Sequence, residues 1–168
     1  ITEPKWKKWV VETNGAVFTP KLCQELIDLS KTLEKTQATI GNNQTLINEV
    51  RKSTVGFIPF DKMKPVYNDI NNLIQKINRN NFGFDNVQMD QEAQITEYKK
   101  GDFYNWHTDT NIEMDKEPPV RKLSLTVLLN DPKEFEGGDL QFAERPVIPM
   151  KQGHAAIFAS FLQHQVTP

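Results

Sequence analysis

Apolar residues in the first half of the chain recur at helical spacing, whereas those in the second half fall into short extended runs. Leu22, Cys23, Leu26, Leu29 and Leu33 form one helical stripe between Thr19 and Glu34. Thr19 can cap that stripe and Pro20 suits a first turn, so the pattern predicts a helix there. Residues 36–48 are polar, carry a Gly41-Asn42-Asn43 turn signal and read as a surface loop. Arg51 to Phe60 reads as a strand. A second helix is predicted from about Asp61 to Asn80, where Met63, Val66, Tyr67, Ile70, Leu73, Ile74 and Ile77 share a face and Pro65 sits in the first turn.

Beyond Phe82 the period becomes extended. Residues 87–98, 122–130, 139–142 and 154–159 form runs divided by turn residues at Lys100-Gly101, Asn130-Asp131-Pro132, Gly137-Gly138 and Gln152-Gly153. Helices first and many short strands afterwards predict an α+β, mainly β fold, a jelly roll or barrel with helices packed on its outside. The length of 168 residues fits a single domain, with a helical buttress over about 19–80 and a β core over about 82–168.

Bulk properties narrow the function classes. Hydrophobic content of 38% is ordinary for a globular protein, and no apolar run nears the roughly 20 residues that span a bilayer. A net charge of -2 with dispersed Lys and Arg offers no basic field for nucleic acid. One cysteine, Cys23, precludes an internal disulfide and lies on the first helix's apolar stripe, where it reads as core. With no basic start followed by an apolar h-region, an intracellular, cytoplasmic protein is expected, with neither membrane nor nucleic acid as partner.

The chemistry is concentrated in the segment from Tyr98 to Asp109. On an extended backbone, residues two apart project from one face, so His107 and Asp109 can point together into a barrel interior. A His-x-Asp pair is by itself more often an ordinary hydrogen-bonded pair than a metal site. His164 adds a second imidazole, 164 - 109 = 55 residues later, far enough for intervening strands to return to the same cavity. Two imidazoles and one carboxylate make the facial triad of non-haem Fe(II) oxygenases, whose open positions take small ligands.

Four segments then resemble the prolyl 4-hydroxylase-like branch of the 2-oxoglutarate- and Fe(II)-dependent oxygenases. Tyr98-x-x-Gly101, Phe103 and His107-x-Asp109 resemble the family's first metal block, and the run from Arg121 to Asn130 its central strand. Phe135-x-Gly137-Gly138-Asp139-Leu140-x-Phe142 resembles a tight hairpin. Pro149-x-x-x-Gly153, the run from Ile157 to Ser160 and His164-x-Val166-x-Pro168 resemble the closing block. Together they cover Gln94 to Pro168. More loosely, Arg51-Lys52-Ser53 and the helix near Thr19 look like the family's N-terminal portion.

The resemblance implies a double-stranded β-helix buttressed by helices, with Fe(II) held by His107, Asp109 and His164. It also implies 2-oxoglutarate as co-substrate, dioxygen, L-ascorbate as a further cofactor, and hydroxylation of an unactivated C–H with release of succinate and CO2. A prolyl residue of a protein or peptide is the expected target; a free amino acid or small metabolite is the alternative. Tyr98 matches a position near the co-substrate, where its phenol either donates to 2-oxoglutarate or fills the core. Thr126 either contacts the co-substrate from inside the barrel or packs. Arg121 sits near the substrate entrance in relatives or is merely solvated, and Trp106 either walls the site or fills space. His154 has no counterpart and reads as a surface residue, while Gly137 and Gly138 read as a hairpin corner. The loops at residues 111–120 and 36–48 are expected as lids.

One element of the family pattern is absent. Relatives carry a Lys or Arg about ten residues past the distal histidine to pair with the far carboxylate of 2-oxoglutarate. Here 168 - 164 = 4 residues follow. The expectation is a chain cut short at its C-terminus, since Lys122 and Lys151 would serve only if they pointed inward. The competing readings are a cupin-like metal barrel, which usually has more histidines than the 3 present, and an inactive binding module.

Overall fold

A computed structural model describes residues 2, 7–38, 47–89, 91–110 and 120–168. The elements run β1 (Val10–Glu12), α1 (Pro20–Ser30), β2 (Thr36–Gln37), α2 (Ile47–Val50), β3 (Arg51–Lys52), β4 (Thr54–Ile58), α3 (Lys64–Ile77), β5 (Ala93–Glu97), β6 (Phe103–His107), β7 (Leu123–Val127), β8 (Leu140–Phe142), β9 (Ala155–Ala159) and β10 (His164–Val166). A π-helical turn, Asn78–Phe82, closes α3, and a short 3-10 turn, Pro132–Glu134, follows β7.

Thr19 caps α1 by accepting from the Leu22 amide, and Pro20 opens it, as the sequence predicts. The helix ends at Ser30, earlier than Glu34, because the Ser30 hydroxyl turns back to the Ile27 carbonyl and Lys31 and Thr32 close the last turn. Leu33 lies beyond the helix yet still packs on the core. The predicted strand from Arg51 to Phe60 is two short strands, β3 and β4, which join different sheets. Thr36 and Gln37 of the expected loop pair with Val55 and Thr54, and the loop's far end forms α2. Of the two expected lids, residues 39–46 and 111–119 lie outside the described residues.

Three antiparallel sheets result, in the orders β1-β9-β7, β3-β6-β10-β8 and β2-β4-β5. The N-terminal half is therefore more than a helical buttress: β1 pairs with β9, and β3 with β6. Strands of two or three residues carry too little periodicity to be seen in sequence. Every residue of β9 is buried. Such a strand has both faces covered. Ala156 and Phe158 meet Leu140, Phe142 and Ile148 on one side, while Ala155 and Ile157 meet Ile77 and Phe82 on the other. Residues of α1 and α3 also pack with Ile58, Ala93 and Ile95 of the third sheet. Among the described residues no helix is long and apolar enough to cross a membrane.

Cys23 is wholly buried, and burial raises its thiol above the ordinary value. Gly153 and Gly137 adopt left-handed φ of 75° and 74°, and a Cβ at either would fall 2.1 Å from a backbone carbonyl oxygen, of Phe18 and Pro168 respectively. Both turns thus need glycine for space as well as for φ. His154 corrects the surface expectation: it is half-buried, with Nδ1 3.2 Å from the Thr13 carbonyl oxygen.

Candidate metal centre

His107 ends β6 and His164 begins β10, and the two are direct cross-strand partners. Asp109 follows β6 by two residues, and its amide donates to the Ser160 carbonyl at 2.9 Å. One ligating atom from each of His107, Asp109 and His164 lies within 4.8 Å of the others. The sequence-predicted triad is therefore brought to one place.

The proton positions follow from the partners of the rings. Nδ1 of His107 is 2.7 Å from the Asn105 carbonyl oxygen, and Nδ1 of His164 is 3.0 Å from that of Leu162. A carbonyl only accepts, so each Nδ1 carries a proton, which in the neutral ring leaves Nε2 with the lone pair. Both Nε2 atoms stand 3.5 Å from Asp109 Oδ1. Burial lowers the His164 pKa against the opposing pull of Asp109, which keeps this ring neutral and able to ligate. Burial acts to raise the Asp109 carboxyl, but the His107 and Ser124 side chains and the nearby imidazole rings outweigh it and hold the group below the usual carboxylate range. Three lone-pair donors facing one another repel unless a cation lies between them. The set of two nitrogens and one oxygen, with none from sulfur, suits a divalent first-row ion such as Fe(II).

His107 is aimed by a bulge that the sequence does not reveal. The register passes from His164↔His107 to Val166↔Tyr104, two residues on β10 against three on β6. In an unbroken strand, residues three apart face opposite sides; the extra residue puts Tyr104 and His107 on one side. Their rings stack with centroids 3.3 Å apart and planes 7° from parallel. Above the Tyr104 ring, at 4.5 Å, sits the guanidinium carbon of Arg51, a residue 7% exposed. Arg51 also donates to Ser53 Oγ and Gln94 Oε1, each at 3.0 Å. Sequence reasoning assigned Arg51 no role. The available signal was an arginine in strand register with Ser53 and Val55, all three of which are buried.

Ser124 is the second residue that was missed. Its hydroxyl donates to Asp109 Oδ2 at 2.5 Å. Thr126, the residue singled out instead, lies two positions along β7 on the same face, and it is exposed. Tyr98 is half-buried, and burial raises its phenol above the ordinary value while nearby Arg51 opposes the shift, so it stays a protonated donor. Arg121 is exposed and donates to Gln91 Oε1 at 2.8 Å. Trp106 is 40% exposed, which rules out a space-filling role in the core. Lys122 donates to the Asp85 carbonyl and Lys151 is exposed, so neither forms an inward anchor.

Comparison with known proteins agrees with this geometry. Residues 93–168 match the 2OG-Fe(II) oxygenase superfamily. A PKHD-type hydroxylase of Azoarcus sp. is 37% identical over 70 residues, a stretch covering 39% of this chain and 31% of that protein. The chain thus spans about a third of that curated relative's length. A viral collagen prolyl hydroxylase from Paramecium Bursaria Chlorella virus-1, solved with 2OG, superposes with a TM-score of 0.74 at 21% identity over 96% of this chain and 88% of that one. A prolyl-4-hydroxylase from Pseudomonas putida gives 0.72 at 18% identity, over 95% and 84% of the two chains. A Trichoplax adhaerens prolyl hydroxylase, solved with a hypoxia inducible factor peptide fragment, gives 0.70 at 18%, over 95% and 77%. The stretch that bears both histidines and the aspartate is therefore similar to the 2OG-Fe(II) oxygenase superfamily, and the chain shares the fold of the prolyl hydroxylases over nearly its whole length.

Proposed function

We propose that the protein is a 2-oxoglutarate- and Fe(II)-dependent hydroxylase, with the metal held by His107, Asp109 and His164 and a prolyl residue of a protein or peptide as its target. The observation that carries the proposal is the convergence of two Nε2 atoms on one carboxylate oxygen, each at 3.5 Å. When bound, iron with 2-oxoglutarate and dioxygen supplies the oxidising power to hydroxylate an unactivated C–H as the keto acid goes to succinate and CO2.

The protein's own residues bind, orient and exclude water. The Tyr98 hydroxyl would donate a hydrogen bond to 2-oxoglutarate, and Thr126, on Ser124's face of β7, would lie along the same wall. Arg121 and Trp106, both exposed, contact substrate at the rim. The Phe142 and Phe158 rings, 5.7 and 4.7 Å from the His164 ring, keep that side of the site dry. The peptide substrate rests on the identities of the structural relatives, two of which are a collagen prolyl hydroxylase and a prolyl hydroxylase holding a peptide. L-Ascorbate, if used, would keep the iron ferrous.

The protein is to be incubated with Fe(II), 2-oxoglutarate, dioxygen and a panel of proline-containing peptides, with succinate measured and peptide mass followed. The expected result is iron-dependent succinate and a peptide heavier by one oxygen atom. Iron binding without succinate would overturn the oxygenase assignment; succinate coupled to a free amino acid, with peptides left unmodified, would overturn the peptide target alone.

A further inference from the structure

Asp109 is held by more than its place in the chain. Its amide and that of Thr110 both donate to the Ser160 carbonyl, at 2.9 and 3.2 Å. Its Oδ2 accepts from Ser124 Oγ at 2.5 Å, and Ser124 Oγ lies 2.9 Å from the hydroxyl of Ser160, a residue with no exposed surface. Ser124 has one proton and gives it to the carboxylate, which cannot donate, so Ser160 must give its proton to Ser124. The chain runs in one direction, Ser160 to Ser124 to Asp109 Oδ2, and each bond polarises the next. Oδ2 is thereby turned toward β7, and Oδ1 alone faces the imidazoles.

Resting on the metal-site reading above, we propose that Ser124, backed by Ser160, is a positioning residue that limits Asp109 to a single ligating oxygen. A free carboxylate can chelate through both oxygens and so occupy a position that a small ligand needs. With Oδ2 engaged by Ser124, each of the three protein residues contributes one atom, and the remaining positions on a six-coordinate cation stay available for a chelating keto acid and dioxygen. The serine pair thus protects the vacancy on which the proposed chemistry depends.

Mn(II) is the probe, because it needs no co-substrate and reports its bound waters through water-proton relaxation. Parent protein, Ser124→Ala, Ser124→Thr and Ser160→Ala are titrated with Mn(II), with thermal melting as the check on folding. Ser124→Ala is expected to bind Mn(II) about tenfold more weakly, the lower end of what outer-shell partners contribute. It should also show lower relaxivity per bound ion, as Oδ2 displaces a water. Ser124→Thr, which keeps the hydroxyl, restores both values, and Ser160→Ala falls between. Should Ser124→Ala lose the fold or all Mn(II) binding, Ser160→Ala alone decides by the same relaxivity comparison. Parent-like relaxivity in the alanine variant, or failure of threonine to restore it, overturns the inference and leaves the metal site standing. Failure of the parent to bind Mn(II) overturns the metal site itself.

Discussion

Asp109→Ala is expected to lose divalent-cation binding by more than about a hundredfold, the size that outer-shell partners alone can reach, and to lose succinate formation with it. Asp109 contributes the only anionic donor of the triad, and without it two neutral imidazoles are left to hold a dication. The position also gives the cleanest test among the three. The His164 side chain is 6% exposed and packed among Phe142, Phe158 and His107, so its removal opens a cavity and confounds site with core. The Asp109 side chain is 18% exposed, and its backbone bond to Ser160 survives truncation. Asp109→Asn sharpens the experiment, because it keeps the size of the side chain and an oxygen for Ser124 while removing the charge. Isothermal titration of both variants with Mn(II), beside metal-free melting curves, separates the outcomes. Near-parent affinity in Asp109→Ala with an intact fold would remove Asp109 from the ligand set.

Gly153→Ala should destabilise the fold by about 3 kcal/mol, equivalent to a Tm fall of roughly 6–12 °C for a protein of this size. Two costs combine. A left-handed φ of 75° costs an L-residue about 1–2 kcal/mol. A Cβ at this position would also lie 2.1 Å from the Phe18 carbonyl oxygen, which is backbone and has no rotamer to change. The displacement would break an intersection: Gly153 donates to the Leu128 carbonyl at 2.7 Å, and its own carbonyl accepts from the Val17 and Phe18 amides at 2.7 and 3.1 Å. Gly153 thus ties the segment leading into α1 to the β core, beside the bonds between Thr13 and Ala155. Gly15→Ala, where nothing lies within 4 Å of the added carbon, is the matched control and should change stability by less than about 0.5 kcal/mol. Urea denaturation of the two variants, giving equal midpoints, would contradict this account.

The legibility of the chain in sequence depends on whether a feature is periodic. His107 and Asp109 were readable because a two-residue spacing maps onto one face of extended chain, and His164 because little else in the sequence offers a second imidazole. The long helices were readable from their stripes, and the glycine turns from the residues themselves. Arg51, Tyr104 and Ser124 were not. The Arg51–Tyr104–His107 stack needs the β6 bulge, an unpaired extra residue fixed by how β6 meets β10, which leaves no trace in composition. Ser124 and Thr126 look equivalent on β7; only the approach of Asp109 to one of them tells them apart. Strand β1 went unseen, and β3 was read as one strand with β4, because their partners, β9 and β6, rather than their own residues, set where they pair.

The pairing of His107 with His164 has a kinetic consequence. The two partners are 164 - 107 = 57 residues apart, and three strands, β7, β8 and β9, lie between them in the sequence. Contacts of such long range form late in folding, after loop closure has been met by other means. A cation seated there therefore acts on the folded molecule's lifetime: escape from the native state slows as cation concentration rises, while the rate of refolding from denaturant stays flat.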